Sequence, residues 1–279
     1  MKIGFINQSQ IGYGAWETTI NLIKEAKNRG HETYLNEYRD DLDFYVIGMF
    51  YDSDGVAKII KNKPYVYIEH SIEMILHEKE IIRKHILPNA KKIYFFSPRQ
   101  RENILYNLNS ASQKIIENNH AYLVVPIDTE FWKAIDIERE FNLNIFVGLI
   151  HSNKGVCQIL QEAKQKPNQK FVFIGSGGGD IDVNTFINGY PNCQYIGHQN
   201  KEQLREWYSR ASNLYILASN GAVESASRVV FEAVLCGCNP IVNKNVGNSS
   251  YPWYNDRSKI IENIKESINN FYCFIESAK

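Results

Sequence analysis

The sequence lacks most of the features that assign a chain to a class at once. No apolar run approaches the roughly 18 residues that cross a bilayer, and the chain opens on a short strand-like run, Lys2–Ile6, rather than a signal peptide. Neither charge is in excess, with 31 Lys+Arg against 31 Asp+Glu in 279 residues. A neutral balance argues against a protein whose main task is to grip nucleic acid through its phosphates. Cysteine is sparse and scattered. Cys157, Cys193, Cys236, Cys238 and Cys273 make no disulfide framework, and Cys236-Gly237-Cys238 has no second pair or His to complete a zinc set. There is no repeat, no low-complexity stretch and no dinucleotide fingerprint, since the sixth position from Gly175 is Asp180 rather than glycine. What is present, 44% hydrophobic and 13% aromatic residues, suffices for a full buried core. A globular chain in a reducing, cytoplasmic compartment is expected.

Short apolar runs alternate with helical stripes. Lys2–Ile6, Thr33–Leu35, Phe44–Ile47, Tyr65–Ile68 and Lys92–Phe96 read as strands, with helices expected over 15–29, 54–62, 72–86 and 98–108. The alternation restarts after residue 140, with strands at Asn144–Leu149, Lys170–Ile174, Gln194–Ile196, Leu214–Leu217 and Pro240–Val242. Helices are expected between them at 154–166, 200–211 and 224–236. This is the pattern of βαβ units and parallel sheets. Two Rossmann-like α/β domains are expected, at 1–138 and 139–257, divided by the charged segment Asp136–Glu140. A C-terminal helix over 258–279 completes the chain, and packing of that helix back on the first domain stays open. Such sheets bind ligands beyond the carboxyl ends of their strands.

The most informative stretch runs from Glu224 to Val242. Glu224 stands before the expected helix, Ser225, Ala226 and Ser227 at its start, Arg228 in its first turn and Glu232 further along. Free N–H groups at a helix start attract anions, small residues let a phosphate approach, and Arg228 adds a planar cationic fork. A capped, buried helix with solvated glutamates fits the same spacing. His70, after Tyr65–Ile68, reads by itself as a hydrogen-bonded structural residue, and Gly175–Gly179 as a loop at a strand end. Three Asp-x-Asp triplets, at Asp41/Asp43, Asp52/Asp54 and Asp180/Asp182, have the spacing of a divalent-cation pair. Only Asp52/Asp54 follows an apolar strand, and an aspartate at a helix start is the reading taken there. The basic cluster Arg83, Lys84, His85, Lys91 and Lys92 reads as a solvated helix end; a peripheral membrane contact stays open.

These residues also carry a resemblance. Glu224 and Glu232, eight apart, followed by Ala233, Cys236-Gly237 and Pro240-Ile241-Val242, resemble the signature of retaining GT-B glycosyltransferases of glycosyltransferase family 4. Other pieces stand in that family's order: Tyr13-Gly14, Arg29-Gly30-His31-Glu32, Val125–Phe131, Val147-Gly148-Leu149 through Lys154-Gly155, Phe171–Gly177, Tyr195-Ile196-Gly197 and Ala211–Ser219. The resemblance is tightest over residues 120–245. It implies a GT-B architecture, two Rossmann-like domains facing across a cleft, and a retaining, metal-independent hexosyl transfer needing no cofactor. The donor implied is a nucleotide-sugar, GDP-mannose first and UDP-glucose next, and the acceptor a glycan or glycoconjugate. Under the resemblance Glu224 and His70 attend the reacting sugar, Glu232 holds the ribose, and Lys154 neutralises diphosphate charge. Amides around Ser225, Ala226 and Ser227 assist it, and Gly14 gives close approach. Two departures stand out. Leu149 replaces a basic residue, for which Arg228 or His151 could substitute, and Ser225-Ala226-Ser227 replaces Gly-Phe-Gly. A homodimer, a nucleotide-sugar epimerase on the same scaffold and a non-catalytic nucleotide-sugar-binding protein remain alternatives.

Overall fold

The alternation of apolar runs and helical stripes becomes two all-parallel sheets, each with its own core. In the computed structural model, which describes residues 1–11, 14–70, 79–177, 180–219 and 223–278, the chain divides into two units. One comprises Met1–Ile127 with Glu262–Lys279, the other Asp128–Ile261. Tyr13, residues 72–78 of the helix expected over 72–86, Gly178-Gly179 and the loop 220–222 lie outside the described residues.

In the first unit β1 (Lys2–Ile6), β2 (Glu32–Leu35), β3 (Phe44–Ile47), β4 (Tyr65–Ile68), β5 (Ile93–Phe95) and β6 (His120–Tyr122) form a sheet ordered β2-β1-β3-β4-β5-β6. Strands β3, β4 and β5 are buried along their whole length, as parallel strands with helices on both faces must be. The helices are α1 (Gly14–Asn28), α2 (Ser53–Asn62), α3 (Lys79–Ile81, a wider π turn at Ile82–Ile86, then Leu87–Asn89), α4 (Pro98–Tyr106) and α5 (Ser110–Asn119). Asp52 caps α2, its side chain accepting from the Gly55 amide at 2.9 Å. That is the helix-start role expected of it. Tyr45, Tyr65 and Tyr67 fill the core, and each hydroxyl finds an acceptor: Arg39 O at 2.8 Å, Ile86 O at 2.8 Å and Glu69 Oε2 at 2.9 Å. The last helix, α9, counting three in the second unit, runs Arg257–Ser277. Phe271, Tyr272 and Ile275 on it are fully buried, and Tyr272 donates its hydroxyl to Leu22 O. The Val124 amide donates to Ser267 Oγ at 2.8 Å.

The second unit carries β7 (Glu140–Val147), β8 (Lys170–Ile174), β9 (Cys193–Gly197), β10 (Ala211–Ile216) and β11 (Asn239–Val242), ordered β11-β10-β7-β8-β9. Its helices are α6 (Val156–Gln165), α7 (Lys201–Arg210) and α8 (Arg228–Leu235). The unit begins at Asp128, ahead of the 138/139 boundary expected from the charged segment. The intervening residues pack with the second unit. Trp132 lies against Tyr208 with ring centroids 5.6 Å apart, the Ile135 amide donates to Ser209 Oγ at 3.2 Å, and Arg139 donates to the carbonyls of Ala211 and Cys236. The charge in this segment belongs to a half-buried anchor, Arg139, rather than to a linker.

Each sheet has one place where successive strands leave in opposite directions. In the first it lies between β1 and β3, in the second between β7 and β10. Open α/β sheets form their ligand crevices at such switch points.

Candidate active site

Two backbone contacts shape the switch point of the second sheet. Gly155 holds φ +76°, and a Cβ there would sit 1.4 Å from Leu217 O, at the end of β10. Gly175 has φ +139°, and its Cβ would lie 1.9 Å from Gly148 O. Only glycine permits either approach. A short 3-10 turn, Ser152–Lys154, is therefore pressed between the ends of β7, β8 and β10. The Ser219 amide donates to Asn153 O at 3.1 Å, tying the turn to the loop after β10.

That turn brings Lys154 to Glu224. Lys154 Nζ donates to Glu224 Oε2 in a short, charge-assisted bond across the switch point, with both side chains partly accessible. Glu224 is held by its backbone: its amide donates to Asn245 O at 3.0 Å, and its carbonyl accepts from the Gly247 amide at 2.7 Å, a parallel bridge to Val246. Asn245 and Asn243 in turn hold the Ala218 carbonyl. In the first turn of α8, Arg228 Nη2 donates to Glu232 Oε1 at 3.2 Å, with side-chain exposures of 11% and 7%. Four ionic residues named from the sequence are thus present as two pairs, one accessible and one largely buried.

The helix starts later than expected. Spacing predicts it over 224–236, but α8 begins at Arg228, and Ser225–Ser227 approach it outside the helix. Glu224 is held extended by its parallel bridge to Val246, and Ser227 is bonded by Asn248, fully buried and 21 residues away. Its Oδ1 accepts from the Ser227 amide at 2.7 Å, and its Nδ2 donates to the Ser227 carbonyl at 3.2 Å. The Ser227 amide, expected among the amides that assist an anion, is therefore already bonded. Ser227 makes no side-chain cap to α8. Asn248 is hard to find in the sequence because Gly247-Asn248-Ser249-Ser250 has the composition of any polar loop.

Leu149 is 41% exposed at the end of β7, so no cation stands at that position. His151 Nδ1 accepts from the Asn153 amide at 3.1 Å and lies 3.6 Å from Asp180 Oδ1. Behind the site the Tyr208 hydroxyl is buried without a hydrogen-bond partner, and burial with Glu232 nearby pushes its pKa well above the ordinary value.

In the first unit, Gly14 opens α1 and is exposed, its carbonyl accepting from Thr18 Oγ1 at 2.8 Å. His70 follows β4. Its ring packs on Phe96 with centroids 5.1 Å apart and lies over Gly48, where a Cβ would come 2.8 Å from Nε2. Burial pushes its pKa down to about 3, so the imidazole is neutral at ordinary pH. Glu69, its neighbour in the chain, is fully buried, takes the Tyr67 hydroxyl, and is held through its carbonyl by Gln100 Nε2 at 2.8 Å. Gln100 Oε1 accepts from the Phe96 amide at 2.7 Å. Gly48 and Gln100, which shape the surroundings of the imidazole, carry no motif that singles them out in the sequence. Among the described residues no three His, Cys, Asp or Glu side chains converge as a metal set, and no helix is long and apolar enough to cross a membrane.

Residues 128–252 match the model of the family described as glycosyl transferases group 1. No curated protein sequence matches the chain. Among solved structures, an α-glucosyltransferase in complex with UDP-glucose and DNA containing an abasic site is similar over 99% of this chain and 92% of its own, at 15% identity and TM-score 0.62. HepE of Anabaena in complex with UDP is similar over 96% and 92%, at 14% identity and TM-score 0.66. A glycosyltransferase involved in avilamycin A biosynthesis is similar over 96% and 91%, at 12% identity and TM-score 0.64. The fold they share with this chain is GT-B.

Proposed function

We propose a specific reaction for this chain, which is a glycosyltransferase of the GT-B fold with a group 1 domain over residues 128–252. It moves a hexose, with retention of anomeric configuration, from a nucleoside diphosphate sugar to a hydroxyl of a glycan or glycoconjugate. The observation that carries this reading is the Lys154–Glu224 pair at the switch point between β7 and β10, with Arg228 and Glu232 one helical turn apart in the helix that follows. A cation and a carboxylate side by side suit the two halves of a donor: a diphosphate that leaves with two electrons, and a sugar whose hydroxyls donate hydrogen bonds.

In the reaction the bond between the anomeric carbon and the phosphate oxygen breaks, and the diphosphate takes its electron pair. Lys154 stabilises the charge that develops there, with the amides of Ser225 and Ala226 close by. Preorganised charge of this kind commonly contributes more to rate than any other single effect. The acceptor oxygen attacks the face that the diphosphate vacates, and its proton passes to a departing phosphate oxygen, so no strong base is required of the protein. Glu224 positions the sugar hydroxyls, and Glu232 accepts from the ribose. Arg228, paired with Glu232, orients the Glu232 carboxylate towards the ribose and lends charge to the phosphates in place of a residue at Leu149. His70, neutral, serves as a hydrogen-bonding partner of the sugar rather than as a proton store. Gly14 leaves room for the donor at the start of α1.

The family resemblance puts GDP-mannose first as donor. The UDP and UDP-glucose complexes of the similar structures favour UDP-glucose, and we place it first. Calorimetric titration with UDP-glucose, UDP, GDP-mannose and GDP, each with and without EDTA, tests donor and metal together. Binding of UDP-glucose that survives EDTA is expected, and NMR of the product should show the donor's anomeric configuration kept. Tight binding of GDP-mannose alone would restore the donor read from the sequence. Loss of all binding on EDTA would overturn the metal-independent scheme.

A further inference from the structure

The third Asp-x-Asp triplet, Asp180-Ile181-Asp182, holds no place in the reaction above. Its two carboxylates have different tasks. Asp182 accepts from Thr185 Oγ1 at 2.5 Å within its own turn. Asp180 reaches across to the loop after β7, where its Oδ1 accepts from the Ser152 amide at 2.8 Å and its Oδ2 takes the Ser152 hydroxyl. His151 Nδ1 stands 3.6 Å from Asp180 Oδ1 and 3.1 Å from the Asn153 amide. The Ser152 bonds are the closer contacts, and they are the largest cause holding the Asp180 carboxyl below its usual pKa range.

Ser152 is the first residue of the turn that ends in Lys154. The turn closes on itself through Lys154 N to His151 O at 3.0 Å and Gly155 N to Ser152 O at 2.9 Å. On one side it is tied to Ser219 and pressed under Leu217. On the other side the Ile150 amide donates to Ser176 O at 2.9 Å ahead of the turn, and Asp180 is the side chain that fastens the turn itself to the loop after β8. We propose that Asp180 is a positioning residue: it holds the Ser152–Lys154 turn in the shape that delivers the Lys154 ammonium to the switch point. The inference rests on the proposed role of Lys154 at the donor diphosphate. A displacement of about 1 Å in a charged group that must meet a phosphate is enough to weaken it substantially. With the Asp180 side chain 47% exposed, its bonds add little to global stability, and the effect is confined to the turn.

The test titrates the full chain with UDP and UMP, and in parallel GDP and GMP, in EDTA. Asp180→Ala is expected to weaken the diphosphate about three- to tenfold and leave the monophosphate unchanged. Asp180→Asn should stay within about twofold of the parent, because its amide oxygen still accepts from Ser152 N and its NH2 can donate to the hydroxyl. Asp182→Ala should change nothing. Lys154→Ala in the same series should abolish the preference for diphosphate. If Lys154→Ala has that effect and Asp180→Ala has none, or weakens both nucleotides equally, the positioning role is overturned while the site stands. If Lys154→Ala itself leaves the preference intact, the site reading fails first. Loss in Asp180→Asn and Asp182→Ala that appears only with added Mn2+ would make the triplet a cation pair and overturn the inference.

Discussion

At the switch point of the second sheet, four ionic side chains stand paired two by two on a backbone that glycines and asparagines lock in place. At the carboxyl ends of the first sheet the conspicuous side chain is an uncharged imidazole lying over a glycine. Both are carboxyl ends of parallel strands, so the fold alone does not make them differ. The difference lies in the side chains each end presents. The Lys154–Glu224 pair is accessible, so its Coulomb energy is moderate and can be exchanged. The His70 imidazole packs on Phe96 and over Gly48 and stays neutral, because desolvation makes an ion there costly.

The firmest way to break this comparison is through the backbone. Gly155→Ala places a Cβ 1.4 Å from Leu217 O at φ +76°, and a loss of about 3 kcal/mol or more in unfolding free energy is expected. Gly197 has φ +77° with nothing within 4 Å, so Gly197→Ala should cost only the left-handed penalty of about 1–2 kcal/mol. Equal losses in denaturant melts would mean that the contact with Leu217 is slack. Next, Lys154→Ala should weaken nucleoside diphosphate binding by about 1.5–3 kcal/mol, the range for a charged hydrogen bond, and His70→Gln should leave it unchanged. A loss in His70→Gln of the same size would erase the distinction between the two sheets. Glu232→Ala is expected to cost about 1–3 kcal/mol in the same titration; an unchanged dissociation constant would falsify its ribose role.

The most gradual effect is one of pH. His70 has a folded pKa of about 3 against about 6.5 unfolded, so as pH falls below 6.5 the unfolded chain takes up a proton that the folded one refuses. Stability contributed by the neutral imidazole is full above pH 6.5 and declines towards pH 3, by at most about 1.4 kcal/mol per pH unit. His70→Gln should flatten the acid limb of a stability–pH curve. A curve of unchanged slope would show that the ring is not shielded.

Much of this is legible in the sequence because apolar runs and strands coincide where both faces are covered. Phe44–Ile47, Tyr65–Ile68 and Lys170–Ile174 match their strands to the residue. What the sequence hides has local reasons. Helix α5 and strand β6 have no clear pattern: Ser110–Asn119 is mostly polar, and His120–Tyr122 is a half-exposed edge strand of three residues with little apolar signal. Spacing places the start of α8 too early because Glu224 pairs with Val246 and Ser227 with Asn248, both far along the chain. The same spacing places Arg228 and Glu232 four apart on one helix, where they pair, but the partner of Lys154 depends on the register of β7 beside β10. Asp180 is visible as half of a triplet, yet its partner, Ser152, lies on another strand's loop.

The accessible ion pair has a consequence for turnover. An anion that reaches Lys154 competes with a carboxylate that is already there, so under the proposed reaction Glu224 would be a tethered rival of the phosphate. Its effective concentration is fixed by the fold rather than by the solution, as for any linked binding group. On that reading a sugar at Glu224 would engage the rival elsewhere while the diphosphate is held, and its departure would let the carboxylate return to the ammonium and hasten release of the spent nucleotide. Affinity for the product would then be set by competition inside the protein, which would keep a site built for capture from becoming a trap.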